Sequence, residues 1–153
     1  MSRTTDVLHV TQTKYASDLL VKHHMVDSKP EETPCNPNTR FSIHEGDLVS
    51  DPHGYRNLVG ALHYLTFTRP DISFAVHQVC QYMAAPTTTH LTTAKRILKY
   101  IKRTLFHGIA FTPSPLNLSV YSDADWANDP DDRRSTSGLL AYLGSNPITW
   151  SAK

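Results

Sequence analysis

Between residues 72 and 122 the chain has no aspartate and no glutamate, yet Lys95, Arg96, Lys99, Lys102 and Arg103 lie inside that stretch. The whole-chain balance hides this gap. With 15 Lys and Arg against 14 Asp and Glu, the net charge is +1, which gives no global sign of a polyanion-binding protein. The local one-signed run does point to a negatively charged partner. Cysteine is also scarce. Cys35 and Cys80 are the two present and they form no C-x-x-C pair, which argues against zinc and dithiol redox motifs. A reducing intracellular compartment is the simpler reading, although a disulfide is not excluded. Long apolar runs are missing, so no membrane-spanning helix is expected. The opening "MSRTTDVLHV" lacks the apolar centre of a signal peptide, and the expected location is intracellular, cytoplasmic or nuclear, not secreted. The nine histidines show no ligand spacing beyond chance and are expected at surface or partly buried positions rather than on a metal. At 153 residues the chain is one domain or parts of two, long enough for an ordinary core.

What is present reads as α+β. "DVLHVTQ" alternates like a short strand. "TKYASDLLVKHHM" turns helical, with Tyr15, Leu19 and Leu20 on one face and Thr13 as the expected cap. Residues 29–50, rich in proline and poor in apolar side chains, read as an extended linker, with a functional lid as the lesser alternative. "SDPHGYRNLVGALHYL" then opens a helix capped by Ser50 or Asp51, with Pro52 in its first turn and Tyr55, Leu58, Val59, Leu62 and Leu65 as its apolar stripe. "TRPDISFAVHQVCQYM" is expected to repeat the device, with Thr68 as cap and Ile72, Ala75, Val76, Val79, Cys80 and Met83 facing inward. A further helix begins near Thr87–Thr89 and runs through "AKRILKYIKRTL". Short, proline-marked connections between these three favour a small helical bundle. After Gly108 the period becomes two, and "GIAF", "LSVYSDAD", "SGLLAYLG" and "ITWSAK" read as strands of a β-meander.

On a wheel with a ~100° step, the five cations share an arc of ~120°. Leu91, Ala94, Ile97, Leu98, Ile101 and Leu105 occupy the other side. One face is expected to pack on the bundle and the other to form a basic strip with no acid nearby. A solvated charged face is the plain alternative. The common sign and the missing counter-charge favour a phosphate backbone, held through release of counterions and without sequence readout. A membrane surface fits less well, because the apolar side is needed by the bundle. A helix-turn-helix at "TFTRPDI" fits poorly too, since the second helix offers His77, Gln78 and Gln81 but no Lys or Arg.

The run "YSDADWANDPDDRRSTSG" gathers Asp123, Asp125, Asp129, Asp131 and Asp132. Calcium-loop spacing from Asp123 fails, with Ala127, Asn128 and Arg134 at the liganding, glycine and closing positions. Asp129, Asp131 and Asp132 read as a polar hairpin loop. Asp123 and Asp125 fall on one face of a strand, where a carboxylate is costly unless a cation such as magnesium meets it. One such strand does not make a two-metal site.

The segments "YRNLVGALHYLTFTRPDISFAVHQVCQYM", "HLTTAKRILKYIKRTL", "YSDADWANDPDDRRSTSGLLAYLGSNPITWSAK" and "TQTKYASDLL" closely resemble the polyprotein of copia-type (Ty1/copia) LTR retrotransposons, abundant in plant genomes. The likeness spans nearly the whole chain. It implies that residues 1–28 end a palm-like region of reverse transcriptase, that 29–50 link, and that 51–112 form a thumb-like bundle holding the template–primer duplex. Residues 116–153 would open a truncated, three-stranded ribonuclease H-like domain. Asp123 would stand at the first acidic ligand of that domain's magnesium site, with Asp125 second choice. The family's "YVDD"-like aspartates and its "STEAEY"-like helix do not occur in this sequence. The resemblance therefore implies no catalysis and no cofactor for this chain alone, magnesium being that of the parent family. Lys95, Arg96, Lys99, Lys102 and Arg103 are its expected contacts to an RNA–DNA or DNA duplex, and the rest of the polyprotein is its other expected partner. A non-enzymatic DNA-binding helical module and an inert relic remain as alternatives.

Overall fold

A computed structural model describes residues 2–3, 6–36, 42, 45–124 and 135–152. Four helices and two small antiparallel sheets make a mixed α+β fold. The first sheet joins β1 (Ser2–Arg3), β2 (Leu8–Val10) and β3 (Ile109–Phe111), so the segment before the helices pairs with the segment after them. Between these strands lie α1 (Thr13–Lys22), α2 (Pro52–Leu65), a 3₁₀ turn (Pro70–Ile72), α3 (Ser73–Cys80) and α4 (Thr88–Arg103). The second sheet holds β4 (Leu118–Ala124), β5 (Ser137–Leu143) and β6 (Asn146–Ala152), each beside its sequence neighbour.

The apolar stripes become the core. Tyr55, Leu58, Val59, Leu62 and Leu65 of α2 are buried, and Ala75, Val76 and Val79 of α3 and Ala94, Ile97, Leu98 and Ile101 of α4 meet them. α1 adds Ala16, Leu19 and Leu20, an arrangement of period 3.6 that needs a helix to face one way. The buried Tyr55 hydroxyl donates to the Val79 carbonyl at 2.7 Å, which removes a polar cost from the centre.

The helix ends differ in part from expectation. Asp51 does cap α2, its Oδ1 accepting from the Gly54 N–H at 2.8 Å. Thr87 stands at the cap position of α4, where its N–H donates to His90 Nδ1 at 3.0 Å and its hydroxyl to the Glu45 carbonyl at 2.6 Å. Thr13, however, is the first helical residue of α1, and Gln12 at the cap position makes no side-chain cap bond. Thr68 caps nothing. Its hydroxyl donates to Gln12 Oε1 at 2.7 Å, and the following turn is 3₁₀ before α3 begins, because Pro70 and the Arg69–Asp71 pair tighten the backbone there. α3 also stops at Cys80, short of Met83.

α1 ends in a Schellman motif. The Met25 N–H donates to the Leu20 carbonyl at 2.9 Å and the His24 N–H to Val21 at 3.1 Å, with His24 at φ 55°. Gly144, at φ 62°, turns β5 into β6, and a Cβ there would collide with Ser114 and the Pro115 carbonyl. The second sheet meets the helices through β6: Trp150 Nε1 donates to the Thr66 carbonyl at 2.8 Å. Among the described residues no helix is long and apolar enough to cross a membrane.

Candidate nucleic-acid interface

α4 carries the five cations on the face opposite its buried one. Lys95 and Arg103 are exposed, and Arg96, Lys99 and Lys102 are half-buried. The expectation of a strip without acids is overturned. Residues 28–36 do not extend away as a linker; they fold back across α4. Lys102 Nζ donates to the Ser28 carbonyl at 2.6 Å. Arg96 pairs with Glu31 at 3.2 Å and donates to Thr33 Oγ1 at 3.0 Å. Arg103 reaches Glu32 at 3.5 Å, and the Glu31 N–H donates to the Lys99 carbonyl at 3.4 Å. The counter-charge missing from residues 72–122 comes from a segment more than sixty residues away, which is why a local reading of charge misses it.

Lys95 and Lys99 carry no ion pair among the described residues. His23, at the end of α1, lies close enough to Lys95 to feel its charge. Burial lowers the His23 pKa first, and Lys22, Lys95 and His24 lower it further. The end of α1 thus adjoins the cationic face, a neighbour that sequence reasoning did not supply. Arg56 is a second missed cation, but its guanidinium is committed to the Met83 and Ala84 carbonyls at 2.9 and 3.4 Å.

Under the C-terminal end of α4 sits another group the sequence reading did not single out. Arg69 is buried and donates to both Asp71 oxygens, to the Thr104 carbonyl at 3.1 Å and to Thr104 Oγ1 at 2.6 Å. Tyr100 covers it, with the guanidinium carbon 5.7 Å from the ring centroid, and its hydroxyl donates to Asp71 Oδ2 at 2.9 Å. Every partner is internal, so this cluster anchors the helix. The adjacency "TRPD" was the one available signal for it.

Asp123 lies on β4, opposite Gly138 of β5. It is exposed, and its Oδ1 accepts from the Ala124 N–H at 2.9 Å. The cost expected for a mid-strand carboxylate does not arise, because β4 is an edge strand open to water on its whole length. Asp123 borders a cleft of about 420 Å³ with Pro70, Phe74, Tyr121 and Trp150, and among the described residues no second carboxylate lines it. Among the described residues no three His, Cys, Asp or Glu side chains gather in metal-ligating geometry. Asp123 by itself does not supply the several oxygen ligands that a magnesium ion calls for. Asp125, Asp129, Asp131 and Asp132 lie outside the described residues.

The likeness to known proteins is extensive. The chain is 48% identical over 147 residues to the retrovirus-related Pol polyprotein from transposon RE1 of Arabidopsis thaliana, covering 95% of this chain and 10% of that protein. The Pol polyprotein from transposon RE2 of the same plant matches at 46%, over 95% of this chain and 10% of its own length. An uncharacterized mitochondrial protein of Arabidopsis thaliana is also 46% identical, over 95% of this chain and 61% of that protein. No protein-family model and no solved structure matches. These relatives define the class as retrovirus-related polyprotein. The chain belongs to the Pol polyproteins of plant copia-type retrotransposons, and spans about a tenth of the length of the first two relatives.

Proposed function

We propose that this segment holds a nucleic-acid duplex for a copia-type polyprotein and performs no catalysis by itself. In this reading the helices around α2, α3 and α4 form the thumb-like part of a reverse transcriptase, and β4, β5 and β6 open a ribonuclease H-like domain. The observation that carries it is the division of α4. Ala94, Ile97, Leu98 and Ile101 are wholly buried, which fixes the helix and leaves Lys95 and Lys99 outward without acidic partners among the described residues. Cations so placed suit phosphates, and would bind them with little regard to sequence.

The test is binding of a labelled RNA–DNA hybrid, followed by fluorescence anisotropy at several salt concentrations. Affinity should fall steeply with salt, with a slope of roughly −2 or more if two or three phosphates are met. K95E/K99E should lose binding. A magnesium-dependent nuclease assay of the same preparation should be blank. Absence of binding at low salt overturns the first half of the reading, and turnover that survives Asp123→Asn or vanishes with it overturns the second.

A further inference from the structure

The segment at residues 28–36 sits where a bound phosphate backbone would compete with it. Glu31 and Glu32 place carboxylates on Arg96 and Arg103 at 3.2 and 3.5 Å, and the Ser28 carbonyl takes Lys102 at 2.6 Å. Three of the five cations of α4 are therefore occupied, while Lys95 and Lys99 have no ion pair among the described residues. The attachment is polar. Glu32 is 82% exposed and Arg103 54% exposed, so that pair is held in water and screened by salt. Apart from Cys35, which packs partly against the core, the strap offers the helix backbone, the Thr33 hydroxyl and charged groups. It is fixed well enough to cover the face and loosely enough to leave it.

We propose that residues 28–36 are an acidic strap that competes with nucleic-acid phosphates for Arg96, Lys102 and Arg103, so that a duplex first meets Lys95 and Lys99 and then displaces the strap. This rests on the duplex-binding reading of α4 and adds its regulation. Glu31 and Glu32 present the same chemistry to a guanidinium as a phosphodiester does, an anionic oxygen. The covered state lowers apparent affinity by the fraction of molecules in which the strap is lifted. It also reduces contacts to other anions, since only two cations stand open.

The experiment compares the whole chain, E31Q/E32Q and D6N/D18N for binding of a labelled RNA–DNA hybrid. Asp6 and Asp18 are exposed and are not part of residues 28–36, and the second variant makes the same change in net charge. E31Q/E32Q should bind about 5-fold more tightly than D6N/D18N, the scale expected when one exposed and one half-buried ion pair cease to compete. Its salt slope should be steeper only in so far as the wild-type slope already falls short of the full cation count. A measurement on the unsubstituted chain stands beside this. The Glu31 amide, bonded to Lys99, should exchange hydrogen faster once the hybrid is bound. Equal affinities for the two variants, or an unchanged Glu31 exchange rate on binding, overturns the strap and leaves the duplex reading intact. No binding by any of the three at low salt overturns both.

Discussion

Arg69 and Asp71 are locked together two residues apart, the guanidinium Nε and Nη2 reaching the carboxylate at 2.9 and 2.8 Å. Arg69 is 3% exposed and Asp71 35%. Burial alone would raise the Asp71 pKa, but the Arg69 hydrogen bond and charge, helped by the Tyr100 hydroxyl, outweigh it and hold the carboxyl below its usual value. A depressed folded pKa contributes stability that is whole above the unfolded carboxyl value and is lost as pH falls through the folded one. D71N leaves Arg69 buried with part of its partner gone. It should destabilise by about 1–3 kcal/mol near neutral pH, less than for a fully buried pair because Asp71 is partly open. Urea unfolding across the acid range checks this: the gap between D71N and the native chain should close as pH falls, and a constant gap would refute the linkage.

His24 holds a left-handed backbone at the end of α1, with φ 55°. A side chain there strains against its own carbonyl, and glycine does not. The imidazole is exposed, so little is lost with it. H24G should raise stability by about 0.5–1 kcal/mol despite the freer unfolded chain. Thermal unfolding of the variant reads the sign directly.

Much of this was legible in the sequence because burial imposes a period. The stripes of α2 and α4 could be read from Tyr55, Leu58, Val59, Leu62 and Leu65 and from Ala94, Ile97, Leu98 and Ile101, since a helix that turns one side to a core must space its apolar residues so. The strands 118–124 and 137–143 were legible from their alternating sequence pattern, although β4 is exposed along its whole length. What could not be read is the contact between distant parts. Thr68 looks like a cap until Gln12, far earlier in the chain, accepts its hydroxyl. The cationic face of α4 looks bare until Glu31 and Glu32 fold onto it. Side-chain charge has no period, so nothing in the local pattern says which acid a given arginine will meet.

Trp150 fastens the second sheet to the helices, its indole N–H donating to the Thr66 carbonyl at 2.8 Å. Leu118, Val120 and Leu139 on that sheet stay exposed, so β4 and β5 gain little from burial. W150F removes the hydrogen bond and part of the ring. It should cost about 1–2 kcal/mol in the sheet's attachment. Hydrogen exchange should speed across β4, β5 and β6 while the amides of α2 and α4 keep their protection. Uniform acceleration throughout would show instead that the two parts unfold as one.

His23 reports on the cationic face from beside it. Its imidazole is part-buried, its Nε2 has no hydrogen-bond partner among the described residues, and burial lowers its pKa first, with Lys22, Lys95 and His24 adding to the effect. The neutral ring is therefore favoured on folding. That contribution is whole above the unfolded value near 6.5 and shrinks as pH falls below it toward the folded pKa, where the unfolded chain binds the extra proton. H23N should flatten the stability profile over that window. The same ring also tests the duplex reading without a binding curve. Phosphates seated on Lys95 cancel part of its repulsion, so the His23 pKa followed by NMR should rise when the RNA–DNA hybrid is added, and K95Q should raise it in the free chain while blunting the response. If the hybrid binds and the His23 titration does not move, the duplex lies elsewhere than on this end of α4.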